Sequence, residues 1–132
     1  MIKPELKRDD LIFPELSYQL IGILFEIFRQ LGGSFQEKYY QRAIALELKK
    51  CGLEFKEQLS LPLFYKEEKI GNYYLDFLIE NKIILEIKKD KKFSKKDIEQ
   101  IVAYLKTSNL KLGILANFTK DGLKFKRILN IR

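Results

Sequence analysis

Residues 73–89 read YYLDFLIENKIILEIKK, and this stretch decides the fold. Two runs rich in β-branched and aromatic residues flank Glu80-Asn81-Lys82, the pattern of two strands joined by a short turn. A hairpin with a three-residue loop at 80–82 pairs Ile79 with Ile83 and, counting outward, sets Asp76 directly opposite Glu86. Alternate residues of a strand share a face, so Glu86 and Lys88 point one way while Leu85 and Ile87 point into the other layer.

An ionised carboxylate among so many apolar neighbours is costly unless a cation or a donor meets it. Two of them face to face would repel, so the arrangement makes most sense with a divalent cation between them. Oxygen ligands suit Mg²⁺ or Mn²⁺, which would neutralise charge on a scissile phosphate while Lys88 stabilises the negative charge that develops there. The ordinary reading is that Asp76 and Glu86 sit at strand ends or on a solvated face, with Lys88 one surface lysine among many. A one-residue slip of the hairpin would favour it.

Working outward, a further strand is expected at about 55–65, with the hairpin strands at about 70–79 and 83–89 completing an antiparallel meander. Upstream, Pro14 opens a helix whose apolar residues Leu16, Leu20, Leu24, Ile27 and Leu31 recur at steps of three and four. Gly32-Gly33 ends it, and a second helix runs from Ser34 to about Lys50, its inward stripe Tyr40, Ile44, Leu48 and Cys51 and its stop Gly52. Ser34-Phe35-Gln36-Glu37 matches a capping box, in which Glu37 reaches back to the N-cap amide. Glu37 also continues the inward stripe three residues before Tyr40, from where it could reach the carboxylate pair.

Downstream, a third helix spans Ser94 to Lys106, with Ser94 as N-cap and Asp97 in the first turn. Gln100 and Tyr104 share one of its faces and could hydrogen-bond a phosphate, or could be half-buried polar residues of no special role. Lys111–Asn117 and Leu123–Leu129 read as two last strands split by Asp121-Gly122. The order is α-α-β-β-β-α-β-β, an α/β chain in one domain over 14–132 behind a charged N-terminal arm at 1–13.

The inventory narrows the chemistry. The 132 residues contain no histidine and one cysteine, Cys51, which excludes Cys/His zinc sites, disulfide frameworks and histidine-based hydrolysis. Twenty-five Lys+Arg against 18 Asp+Glu give a net charge of +7, which favours a polyanionic partner. The run Lys88–Lys96 (KKDKKFSKK) has six lysines to one acid, either a solvated loop or a cradle for a nucleic-acid backbone. The most apolar stretch, Leu16–Phe25, is about half the ~20 residues of a membrane span. With no leader pattern before it, the expected location is cytoplasmic, away from membranes.

Together, Ser34-x-x-Glu37-x-x-Tyr40, Leu75-Asp76, Glu86-Ile87-Lys88 and Gln100 with Tyr104 resemble the GxxExxY family of the PD-(D/E)XK nuclease-like superfamily. Ser34 stands where that family has glycine, and Leu75 where the superfamily's name has proline; neither departure removes a ligand. The resemblance implies a restriction-endonuclease-like α-β-β-β-α-β core, with an extra N-terminal helix and C-terminal strand. It implies Asp76, Glu86 and Ile87 as the metal site, Lys88 as catalytic lysine, Glu37 as auxiliary acid and Gln100 as accessory polar residue. Lys89, Lys91, Lys92, Lys95, Lys96 and Tyr104 would hold the nucleic acid. The function expected is Mg²⁺- or Mn²⁺-dependent phosphodiester hydrolysis, DNA favoured; the alternative is a catalytically silent nucleic-acid-binding or protein-interaction module. A homodimer or a larger assembly stays open.

Overall fold

In the computed structural model, which describes residues 12–89 and 93–130, Pro14 occupies the first turn of α1 (Pro14–Leu31), where its missing amide costs nothing. Helix α2 (Glu37–Lys50) follows, then strands β1 (Phe55–Tyr65), β2 (Glu68–Ile79) and β3 (Ile83–Lys88). Helix α3 (Lys95–Ser108) crosses over to β4 (Leu112–Thr119), and β5 (Gly122–Leu129) closes the chain. The element order is the one read from the sequence. The N-terminal arm, apart from Ile12 and Phe13, and the lysines Lys91 and Lys92 lie outside the described residues.

The strands form one sheet in the order β1-β2-β3-β4-β5, antiparallel except for the parallel pair β3 and β4 that α3 connects. A crossover helix is what parallel neighbours require, and it leaves one helix layer on each face. Leu20, Leu24 and Ile27 of α1 and Tyr40, Ile44 and Leu48 of α2 pack on Phe77, Ile79, Ile83, Leu85, Ile87 and the inward residues of β4. On the other face Ile101, Tyr104 and Leu105 of α3 cover Leu75, Ile84, Leu115 and Ile128. Each large apolar side chain so buried contributes ~1.5–3 kcal/mol. Strands β3 and β4, sheathed on both faces, accordingly begin as apolar runs, Ile83-Ile84-Leu85 and Leu112–Ala116.

The start of α2 corrects the sequence reading. No capping box forms at Ser34–Glu37: Gln36 is the N-cap, without a side-chain bond, and Glu37 is the first helical residue. The cause is Tyr40, whose hydroxyl accepts from the Phe35 amide (3.2 Å) and donates to the Gly32 carbonyl (2.6 Å), satisfying the loop's backbone from inside. Gly33 is pressed so closely on the Thr119 carbonyl that no side chain fits there. Tyr40 also stacks on Phe118, ring centres 4.1 Å apart. At the other end of α2 Cys51, expected inside, is exposed, because the helix ends there and Ala45 takes its place in the buried stripe. Helix α3 does carry a capping box, with Asp97 N donating to Ser94 Oγ (3.1 Å) and Ser94 N to Asp97 Oδ2 (3.3 Å).

Candidate active site

The hairpin register is the one counted from the sequence: Ile79 faces Ile83, Leu78 faces Ile84 and Phe77 faces Leu85. There the ladder stops. The next position outward would pair Asp76 with Glu86, and side chains take over from the backbone. The Asp76 amide donates to Glu86 Oε1 at 2.6 Å, and the Ile87 amide donates to Asp76 Oδ2 at 2.7 Å. Both carboxylates are nearly buried, at 9% and 8% exposure. The strands part at this level, and the carboxylates fill the gap.

A second irregularity sits beside the first. Gln58, across from Asp76 on β1, has φ 50, a left-handed conformation that costs a residue with a side chain on the order of 1–3 kcal/mol. The β1–β2 pairing skips that position, running from Glu57–Phe77 to Leu59–Leu75. The hydrophobic alternation inverts across it: Phe55 and Phe77 face α1 and α2, whereas Leu59, Leu61 and Leu75 face α3. Asp76 therefore stands where the sheet swaps its faces. There Asp76 Oδ1 accepts from Gln41 Nε2 of α2 at 2.9 Å, and the nearby Gln58 side chain helps to lower the Asp76 carboxyl.

Electrostatics follow from this crowding. Burial raises the Asp76 carboxyl, opposed by the Ile87 amide, by Lys88 and by hydrogen bonds from the Glu86 and Gln58 side chains. Burial and then the Asp76 charge push Glu86 up to about 8, with Glu37 adding to the rise and the Asp76 amide and Lys88 opposing it. The pair thus holds a proton at neutral pH in the absence of a cation. Lys88 lies in the field of both groups, its Nζ 3.7 Å from Asp97 Oδ1 at the start of α3. Tyr104 is buried on the same side, its hydroxyl pushed up by burial, by Tyr73 and by Glu86, with the Tyr73 ring 5.9 Å away.

Of the residues singled out in the sequence, Asp76, Lys88, Glu37 and Tyr104 each interact electrostatically with Glu86. Gln100 is exposed one turn before Tyr104, and Lys95 and Lys96 are exposed in the first turn of α3. Lys89 donates to the carbonyls of Gly33 and Phe118 (2.9 Å for the latter) and lies 5.3 Å from the Tyr40 ring centre. It ties the Gly32-Gly33 loop to the end of β4. Sequence reading missed Gln41 and Gln58. Gln41 was within reach of it, four residues after Glu37 and hence on the same helical face; nothing in a strand pattern announces a left-handed glutamine.

The site offers a cation two carboxylates. Among the described residues there is no group of three or more His, Cys, Asp or Glu side chains arranged to hold a metal. An all-oxygen set with few protein ligands still fits Mg²⁺, which keeps several of its waters, better than it fits Zn²⁺ or Ca²⁺.

A split hairpin carrying D-x₉-E-x-K on a mixed sheet between helices coincides with a match of residues 14–128 to the profile of the PD-(D/E)XK nuclease superfamily. The chain belongs to the PD-(D/E)XK nuclease superfamily. A solved structure titled "Crystal structure of SSO0001" superposes with a TM-score of 0.55 at 18% identity, covering 93% of this chain and 60% of the other. The PD-(D/E)XK chain thus spans under two thirds of that protein, and the likeness concerns the fold. None of the curated proteins matches it. The superfamily supports a nuclease-like function, divalent-metal chemistry and nucleic acid as the partner class. No helix among the described residues is long and apolar enough to cross a membrane.

Proposed function

We propose that this chain is a Mg²⁺- or Mn²⁺-dependent nuclease of the GxxExxY type that hydrolyses phosphodiester bonds, with DNA as the substrate. The observation that carries the reading is the Asp76–Glu86 pair. Two buried carboxyls are driven together by the register of a hairpin, at a cost in repulsion and desolvation that a metal-free fold does not repay. When bound, the cation supplies electrophilic stabilisation of the phosphate being cleaved.

The chain's own residues divide the remaining tasks. Asp76 and Glu86 hold the cation, and the Ile87 carbonyl lies between Glu86 and Lys88 to add a third oxygen. Gln41 and Gln58 fix the Asp76 carboxylate, and Glu37 adds negative charge that favours a cation over an empty pair. Lys88 contributes its ammonium to the phosphate or to the attacking water's orientation. Lys95 and Lys96, with Lys91 and Lys92, attract the polyanion, while Gln100 and Tyr104 border the site from α3. A cytoplasmic location and action as a dimer or within a larger assembly belong to the same proposal.

The test is cleavage of plasmid, linear and single-stranded DNA with Mg²⁺ or Mn²⁺ by wild type, Asp76→Asn, Glu86→Gln and Lys88→Met. Cleavage is expected to need the cation and to fall at least a hundredfold in each variant. Cleavage that persists in the folded variants overturns the mechanism. The silent-module reading has one observation in its favour, the absence of a third acidic ligand among the described residues. It predicts binding that survives EDTA and all three substitutions, with no cleavage by wild type.

A further inference from the structure

A cavity of about 470 Å³ lies between the α1–α2 loop and the β4–β5 turn, separate from the carboxylate pair. Among the described residues Gly33, Lys89, Thr119, Lys120, Asp121 and Lys124 line it, three ammonium groups against one carboxylate. Lys120, Asp121 and Lys124 are exposed. Lys89 is anchored by the Gly33 and Phe118 carbonyls, which use two of its three N–H donors and leave the third for a ligand. Gly33 has no side chain to fill the opening, and the loop carrying it is pinned by Tyr40.

The cavity and the carboxylate pair are rigidly related. Consecutive residues of α2 serve them, Tyr40 beneath Lys89 and Gln41 on Asp76. Lys89 follows β3 directly, three residues past Glu86, so at ~3.3 Å per extended residue roughly 10 Å separates the two positions.

We infer that this cavity is a phosphate-holding subsite, in which Lys89, Lys120 and Lys124 grip the backbone of the bound strand roughly 10 Å from the bond at Asp76 and Glu86. The inference rests on the nuclease reading and adds to it a second fixed point, which sets the strand's direction across the site. Phosphate contacts orient a nucleic acid without reading its bases, so the grip is indifferent to sequence.

The test compares Lys120→Ala/Lys124→Ala with Lys49→Ala/Lys50→Ala, a pair of equal charge at the far end of α2, both checked for folding by circular dichroism. Binding of a fluorescein-labelled single-stranded oligodeoxynucleotide is measured with Ca²⁺ replacing Mg²⁺ over a range of salt. The Lys120/Lys124 pair is expected to weaken binding equally for different sequences and to lower the slope of log K against log salt by about 1.4, ~0.7 per lost phosphate contact. The Lys49/Lys50 pair leaves the slope within experimental error of wild type. In the wild type alone, the amide resonances of Gly33, Thr119 and Lys120 shift on addition of the oligonucleotide. Equal losses in the two pairs, with wild-type binding and cleavage intact, overturn the subsite and leave the nuclease standing. A wild type that binds no oligonucleotide overturns both.

Discussion

Asp76 and Glu86 each accept a hydrogen bond from the main chain of the opposite strand: Asp76 Oδ2 from the Ile87 amide and Glu86 Oε1 from the Asp76 amide. The two carboxyls thus stand in for the sheet hydrogen bonds missing at the split, which is how two acids can be buried at one level without unsatisfied backbone donors. With Gln41 on Asp76 Oδ1, three of the four carboxyl oxygens already accept a hydrogen bond, and their remaining lone pairs are left for the partner acid and the incoming cation.

Glu86→Gln removes one charge from the pair but keeps an oxygen for the Asp76 amide. The metal-free variant is expected to melt higher than wild type by several °C at pH 9, each kcal/mol being worth about 2–8 °C in a domain of this size. At pH 5 the two should melt together. The folded-state value of Glu86, raised to about 8, means that its contribution to stability is full below the ordinary glutamate range and is lost as pH rises through about 8. Thermal melts in EDTA at the two pH values decide this, and a gap that is larger at pH 5 contradicts it.

The same proton must leave when a cation enters. Mg²⁺ affinity is therefore expected to climb about tenfold per pH unit below 8 and to level off above it. Calorimetric titrations in two buffers of different ionisation enthalpy should report release of close to one proton per Mg²⁺ at pH 7. A pH-independent affinity would show that the pair is ionised before the metal arrives.

Substitution at Gln58 separates backbone from side chain. Gln58→Val places a β-branched residue at φ 50 and is expected to cost about 1–3 kcal/mol of stability by urea denaturation. Gln58→Gly relieves the strain, so its stability should match or exceed wild type, while loss of the carboxamide from Asp76 weakens Mn²⁺ binding measured by electron paramagnetic resonance. If Gln58→Gly keeps wild-type Mn²⁺ affinity, the side chain has no part in holding Asp76.

Gly33→Ala puts a methyl group against the Thr119 carbonyl and is expected to destabilise by about 1–3 kcal/mol. Tyr40→Phe removes both hydroxyl bonds from the same loop and should cost about 1–3 kcal/mol. Because both act on one loop, the double variant is expected to lose less than the sum, which a double-mutant cycle in urea measures.

Strand and helix periods carried the fold. The run at 73–89 announced the hairpin, and the turn at Glu80-Asn81, both with positive φ, fixed the register that brings Asp76 to Glu86. What was not legible is non-periodic. The start of α2 is set by a hydroxyl donated from Tyr40, a tertiary contact that overrides the local Ser34–Glu37 pattern. The inversion of faces at Gln58 leaves the sequence alternation looking ordinary on each side, and only the strand's neighbours show which layer each half addresses. The role of Lys89 as a clasp was equally hidden, since a lysine in a run of lysines carries no sign of the carbonyls it meets.

Strand β1 lies at an open edge of the sheet and is 11 residues long, a length at which an edge invites another chain to pair with it. The left-handed residue at Gln58, the missing amide of Pro62 and the bulge between Leu63 and Phe64 divide that edge into segments of at most three regular residues. An incoming strand would lose its alignment at each break. The kink that seats Asp76 therefore also guards the edge against intermolecular strand addition, and a Gln58 variant that straightens β1 is a chain more prone to aggregate as well as one with a misplaced acid.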